Sequence, residues 1–359
     1  MYSSPTNDRN DTHCQQDVRM IDRRIFPYFH PTTSIFVDDN TGFLQSLVLH
    51  LPEDLAFQLF SNPEHALLRI NQTPTQPPLY ERCFSHYRNL VPSDDAERLI
   101  HLDLNLIEQE VSNPDRFREV SVVVVDYDMP SMNGLDFLRS LNDPHLKKVL
   151  LTGVADEKVA VRAFNDGLID RFIRKQEPEA IGTLVRNIHE LQLAYFSDVS
   201  QMLLNSLLLQ SPSFLGDVAF QQLFEQLRTE HGFCEYYLVE NPSGLLLLQP
   251  EGAFKRLLVA SKEDLSRQVT YGRRIGAPAR YLDAVADGRM IAYFFDPFDD
   301  LFDPDACDWE DYFFPARTLG GRFAYCYAVL DDPPVDIEFD ADTATYQAYL
   351  TSLDASIED

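Results

Sequence analysis

The chain has 359 residues, 45% of them hydrophobic and 12% aromatic. That is ample for packed cores, so wholesale disorder is excluded, and the length suits two domains better than one. Fifty-seven Asp and Glu against 30 Lys and Arg leave a formal charge of −27, which makes phosphate backbones and anionic lipid surfaces poor general partners. Apolar runs such as Phe323–Leu330 and Met290–Phe295 fall far short of the ~20 residues that cross a bilayer, so no membrane partner is expected. Met1–Asn10 contains no apolar core of a signal peptide, so secretion is not expected. Cys14, Cys83, Cys234, Cys307 and Cys326 are scattered and lack C-x-x-C spacing, which fits reduced thiols in the cytoplasm.

In chain order, residues 1–30 are polar and unpatterned and read as a mobile leader. Ser34–Val37 is a short apolar strand running into Asp38-Asp39, and Thr41 caps a helix through Leu51. Phe57–Phe60 is the next strand, with Pro63 opening a helix to Ile70. Gln72–Pro78 is rich in Pro, Thr and Gln, and Ser93 with Asp94, Asp95 and Glu97 opens a helix carrying Leu99, Leu102, Leu106 and Val111. Val120–Val125 is the continuous β-branched run of a strand buried on both faces, and it ends at Asp126. Asn133-Gly134 turns the chain into a helix over Leu135–Leu141. Strands follow at Lys148–Leu151, ending at Thr152, and at Arg171–Ile173, ending near Lys175, with a helix over Glu157–Phe164 between them.

This repeated strand-then-helix order predicts a doubly wound parallel sheet, in which ligands bind beyond the carboxyl ends of the strands. Asp38, Asp39, Asp126, Thr152 and Lys175 all stand at such ends. Three carboxylates converging there need a cation, and hard oxygen ligands describe a Mg²⁺ site. With Lys175 as a positive clamp and Thr152 as a hydroxyl donor, these are the parts needed to move a phosphoryl group.

The same residues carry a resemblance. Asp38-Asp39, the segment Asp126-Tyr-Asp-Met-Pro-Ser-Met-Asn-Gly-Leu135, Leu150-Leu-Thr152-Gly and Phe172-Ile-Arg-Lys175 resemble the receiver domain of two-component response regulators, over roughly residues 33–195. The resemblance implies a five-stranded, flavodoxin-like parallel sheet and a sensor histidine kinase as partner. It makes Asp126 the phospho-acceptor and places Mg²⁺ on Asp38, Asp39, Asp126 and the backbone carbonyl of Asp128. Thr152 and Lys175 then contact the phosphoryl oxygens, and Phe172 occupies the aromatic switch position. Three features depart from the pattern. Asp39 and Asp126 lie about twice as far apart as in receivers, owing to an insertion over about residues 72–117. Gln176 follows Lys175 where receivers usually carry proline, and Asp128 adds an acid beside the site.

The resulting division is a leader over 1–30, a receiver over 31–195, a long helix over 179–210 and an output domain over 211–359 with an acidic tail from Asp331. In the helix, Ile181, Ile188, Tyr195, Met202 and Leu209 form one heptad row, while the companion row meets Asp198 and Asn205 after Leu184 and Leu191. Two readings stand: a coiled-coil seam joining a homodimer, or a helix packed on its own sheet. Beyond it, strands group with strands: Glu235–Val239 and Leu245–Gln249 around Asn-Pro-Ser-Gly, then Arg256–Ala260, Met290–Phe295 and Phe323–Leu330. A smaller α+β domain with a mostly antiparallel sheet follows from that order, with helices opening at Ser261 and Pro278.

Residues 211–359 hold 27 Asp and Glu against 11 Lys and Arg, and no helix carries a basic face, so DNA is not an expected partner. Gly-Gly-Asp-Glu-Phe, Glu-Ala-Leu, P-loop and G-x-S-x-G motifs are absent from the sequence, so an enzymatic output is not expected beyond the receiver's own phosphotransfer and dephosphorylation. His231 beside Gly232 reads as a helix end. Two outputs remain: a phosphorylation-controlled interaction or dimerisation module, and a domain that binds a small ligand or nucleotide under receiver control, as in a quorum-sensing-type regulator.

Overall fold

The protein is described by a computed structural model covering residues 25–72, 77–87, 99–153, 157–209, 214–240, 242–294, 308–331, 345–353 and 357–358. Five parallel strands run in the order Phe57–Phe60, Thr33–Val37, Val120–Asp126, Lys147–Thr152 and Arg171–Arg174. Val122 to Val125 are all fully buried, because helices cover both faces and every second valine points to each. One face packs Leu135, Phe137 and Leu138 of the Gly134–Arg139 helix with Ala160 and Ala163. The other takes Leu44 and Leu47 from the Thr41–Val48 helix, and Leu184, Ile188 and Leu191 from the long Ala180–Leu209 helix.

A sixth strand corrects the expected count of five. Ile357–Glu358 pairs in parallel with Phe57–Phe60 and forms the sheet edge. The helix before it, Tyr346–Ser352, is bolted to the same domain: the Tyr346 hydroxyl donates to the Asp54 carbonyl at 2.7 Å and accepts from the Ala56 N–H at 3.1 Å. The chain's last segment therefore belongs to the parallel sheet's edge rather than to a loose tail. Residues 332–344 lie outside the described set.

The second domain is a six-stranded antiparallel sheet in the order Tyr28–Phe29, Glu235–Val239, Gly244–Leu248, Phe254–Ser261, Ala324–Leu330 and Arg317–Gly320. Ser261 caps the Lys262–Arg274 helix in a reciprocal box with Asp264, and Gly232 ends the Val218–His231 helix at φ 64°, as Gly readily does. The edge strand takes up the end of the expected leader: Ile25, Phe26 and Tyr28 are buried in the antiparallel core and the Pro27 carbonyl accepts from Leu238 N–H at 2.7 Å. Residues 1–24 lie outside the described set. Met290–Ala292 is a strand, but it pairs with Phe313–Pro315 in a small separate sheet.

Two further expectations give way. Asn40, not Thr41, caps the first helix, its side chain accepting from Phe43 N–H, and that helix ends at Val48. The apolar spacing after Ser93 suggested one helix to Val111, yet Leu99–Leu102 is a strand paired with Phe84–Tyr87 and only Asn105–Gln109 is α-helical. Four-residue apolar runs satisfy both periods, and cross-strand pairing decides between them. Ser93 itself lies outside the described residues.

The insertion and the long helix join the two domains. Ile107 and Val111 of the insertion, with Tyr195, Phe196, Val199, Leu203, Leu204 and Leu207 of the helix, lie in the core of the antiparallel sheet. Both heptad rows are thus consumed within one chain as far as Leu207, except Met202, Asp198 and Asn205, which are exposed. The packed-helix reading holds for this stretch because the apolar stripe changes partner midway, from one sheet to the other. Among the described residues no helix is long and apolar enough to cross a membrane.

Candidate functional site

The parallel strands end on one side in Asp38, Asp126, Thr152 and Lys175. Each position is set by its strand's register: the Asp38 N–H donates to the Phe60 carbonyl at 3.1 Å, Tyr127 N–H to Leu151 at 3.0 Å, and Lys175 N–H to Thr152 at 3.0 Å. Asp38, Asp39 and Asp126 each present a carboxylate oxygen within 4.8 Å of the others. The Lys175 ammonium lies 2.5 Å from Asp38 Oδ2 and 2.8 Å from Asp126 Oδ1. Gln176 in place of proline therefore leaves the lysine seated in the cluster.

Electrostatically the site is acidic. Burial pushes the Asp38 carboxyl above its usual range, against the opposing pull of Lys175. Burial lowers the Lys175 ammonium, but hydrogen bonds and attraction from Asp126 and Asp38 outweigh that and leave it raised. Three carboxylates against one ammonium make a donor set of hard oxygens with unspent negative charge. Thr152 is fully buried and its hydroxyl has no hydrogen-bond partner among the described residues. A buried orphan hydroxyl at such a place fits a group that gains its partner when the site is loaded.

Asp128 is exposed, and its carboxylate is not part of the three-acid cluster. Phe172 is half-buried, its ring 6.4 Å from that of Phe164 on the neighbouring helix. Two contributors escaped the reading of the sequence. Phe43 lies under Lys175, with the ammonium 4.6 Å from the ring centroid. Its position in the first turn after Asp38-Asp39 was the available signal. Gly134 was expected only to turn the chain, but a Cβ there would sit 2.3 Å from the Asp126 carbonyl oxygen, so the backbone beside the acid requires glycine.

Strand ends, acids and lysine in this order define a receiver domain. The family model of the response regulator receiver domain matches residues 108–186, and the fold extends the likeness back to Thr33, across the insertion. The chain is similar to the Legionella pneumophila response regulator LqsR, with 35% identity over 92% of this chain and 97% of that one, at a TM-score of 0.73. It belongs to the response regulator family. Lesser likenesses are to an adenylate cyclase from Rhodopirellula baltica (20% identity, 50% of this chain and 99% of that one, TM-score 0.32) and an uncharacterised protein from Neptuniibacter caesariensis (23%, 47% and 95%, 0.32). At those scores neither says anything about output. No curated protein sequence matches the chain.

Proposed function

We propose that Asp126 accepts a phosphoryl group from a phosphohistidine of a sensor histidine kinase in the cytoplasm. An Asp126 carboxylate oxygen forms the new P–O bond while the P–N bond to the kinase imidazole breaks and the imidazole nitrogen recovers a proton. Asp38, Asp39 and Asp126, with the Asp128 backbone carbonyl, would hold Mg²⁺, which supplies charge neutralisation to the transferring phosphoryl group. Lys175 clamps one phosphoryl oxygen, and the Thr152 hydroxyl donates to another. What supports this reading is the convergence of three carboxylates and Lys175 at the strand ends, beside a buried hydroxyl that lacks a partner.

Phe172 is the candidate switch, moving into space released when Thr152 turns inward. Output proceeds through protein contacts or dimerisation rather than DNA. For a homodimer, the described side chains of the Ala180–Leu209 helix leave few apolar groups to offer. The receiver face carrying Val161 and Phe164, 39% and 45% exposed, is the better-placed surface. A second reading, an output that takes a small ligand, is favoured by a mixed apolar and polar cavity in the antiparallel domain.

Treatment with acetyl phosphate and Mg²⁺ should add the mass of one phosphoryl group to the full chain and none to Asp126→Ala. A gain that persists in Asp126→Ala refutes the acceptor. The oligomeric size of the treated chain, compared with Phe164→Glu, tests the receiver face.

A further inference from the structure

The antiparallel domain contains a cavity of about 580 Å³, well within the roughly 300–1,000 Å³ of small-molecule sites. Its body is apolar: Leu238 and Val259 from the sheet, Phe214 and Leu215 before the Val218–His231 helix, Leu207 from the long helix and Leu104 from the insertion. Its rim is the start of the Lys262–Arg274 helix. There Asp264 accepts from Ser261 N–H and Oγ at 2.8 and 2.6 Å and is paired with Arg267, so those two charges compensate each other. Tyr325 also lines the cavity. It is 2% exposed, and its hydroxyl has no hydrogen-bond partner among the described residues.

A buried hydroxyl without a partner is rare in a finished core and ordinary in an empty binding site. Glu240 at the edge adds a further carboxylate, so an anionic ligand would find no free counter-charge among the described walls and would lose its hydration there. We propose that the cavity binds an uncharged amphiphile, with an apolar body against Leu238 and Val259 and a hydroxyl or carbonyl group hydrogen-bonded to Tyr325. Leu207 and Leu104 belong to the two segments that join the domains, so a ligand seated here touches both connections to the receiver. The site rests on the ligand-binding reading of the output and gives it a location and a ligand class.

The test titrates the neutral fluorophore N-phenyl-1-naphthylamine into the full chain. One saturable site is expected, weakened roughly tenfold or more by Leu238→Trp. Ser243→Trp, in the turn at the mouth and outside the packed sheet, guards against misfolding and should weaken it likewise. Gln221→Trp, in the cleft of about 1270 Å³ that also borders the Tyr346–Ser352 helix, should leave binding unchanged. 1-Decanol should displace the fluorophore at about tenfold lower concentration than decanoate, and Tyr325→Phe should weaken decanol several-fold without lowering the melting temperature. Wild-type binding in both cavity variants, or loss in Gln221→Trp alone, overturns the location. Equal displacement by decanoate overturns the ligand class, and an unchanged decanol affinity in Tyr325→Phe overturns the hydroxyl's part in it. Repeating the titration with beryllofluoride and Mg²⁺ separates the two readings: an unaltered affinity sinks receiver control while leaving the site.

Discussion

Two of the places where charge is buried in this molecule are built differently. At the strand ends Asp38 and Asp126 share Lys175, with Asp39 exposed beside them, and the set is over-acidic and open on one side. At the domain junction Arg116, at the end of the insertion, meets Glu235 of the antiparallel sheet through two bonds of 2.9 and 3.1 Å, and Tyr237 donates to Glu235 at 2.7 Å. Those two side chains are 0% and 1% exposed, and their charges cancel. A balanced, sealed pair holds parts together, whereas an unbalanced and accessible one is left ready for a cation and an anion. The Val120–Asp126 strand begins four residues after Arg116 and ends in Asp126, so one short segment links the two.

The comparison breaks most readily at the sealed pair. Arg116→Met alone leaves Glu235 buried without a counter-charge and should cost about 3–5 kcal/mol of stability in urea unfolding. Arg116→Met with Glu235→Leu should recover most of that. A double variant as unstable as the single would show that the pair contributes more than its own compensation. The same single change should leave phosphorylation of Asp126 measurable, since no residue of the strand-end cluster is touched.

A titration at the junction gives the next largest effect. Burial lowers His30 to about 3, while in the unfolded chain it titrates near 6.5. Its stability contribution is therefore present above pH 6.5 and is lost as pH falls, by about 1.4 kcal/mol per unit. Glu119, 3.4 Å away, works in the opposite sense, since burial pushes its carboxyl up to about 7. The difference between wild type and His30→Gln isolates the histidine. It should narrow by about 2 kcal/mol between pH 6.5 and pH 5, and a constant difference would show that His30 titrates in the folded chain as it does in the unfolded one.

The smallest effect sharpens the open site. Thr152→Val replaces an unpartnered hydroxyl with a methyl and should leave stability unchanged or raise it by about 1 kcal/mol. It should also slow phosphoryl uptake from acetyl phosphate. Lower stability with normal uptake would make Thr152 a core residue with no part in the chemistry.

Much of the site was legible because it is local and periodic. Val120–Val125 states a doubly buried strand, the acid at its end follows from the strand's length, and Asn133 and Gly134 mark the turn. The short strand Leu99–Leu102 was not legible, since Leu at three- and four-residue spacing serves a helix equally well until a partner strand is present. Ile25–His30 looked like leader because two or three apolar residues carry no period, yet Tyr28 and Phe29 find Tyr237 and Tyr236 across an edge more than 200 positions away in the chain.

The sequence by itself determined the receiver class, the order of its strands and the identity of the clustered acids, because spacing places all three at one end of a parallel sheet. Only the tertiary structure decided that the last strand returns to that sheet and that the long helix spends its apolar stripe inside the chain. It also decided that the insertion clasps the second domain through Arg116. Those outcomes depend on contacts between residues far apart in sequence. The −27 charge predicts none of them, since the carboxylates that matter most are held by one lysine and one arginine chosen by the fold.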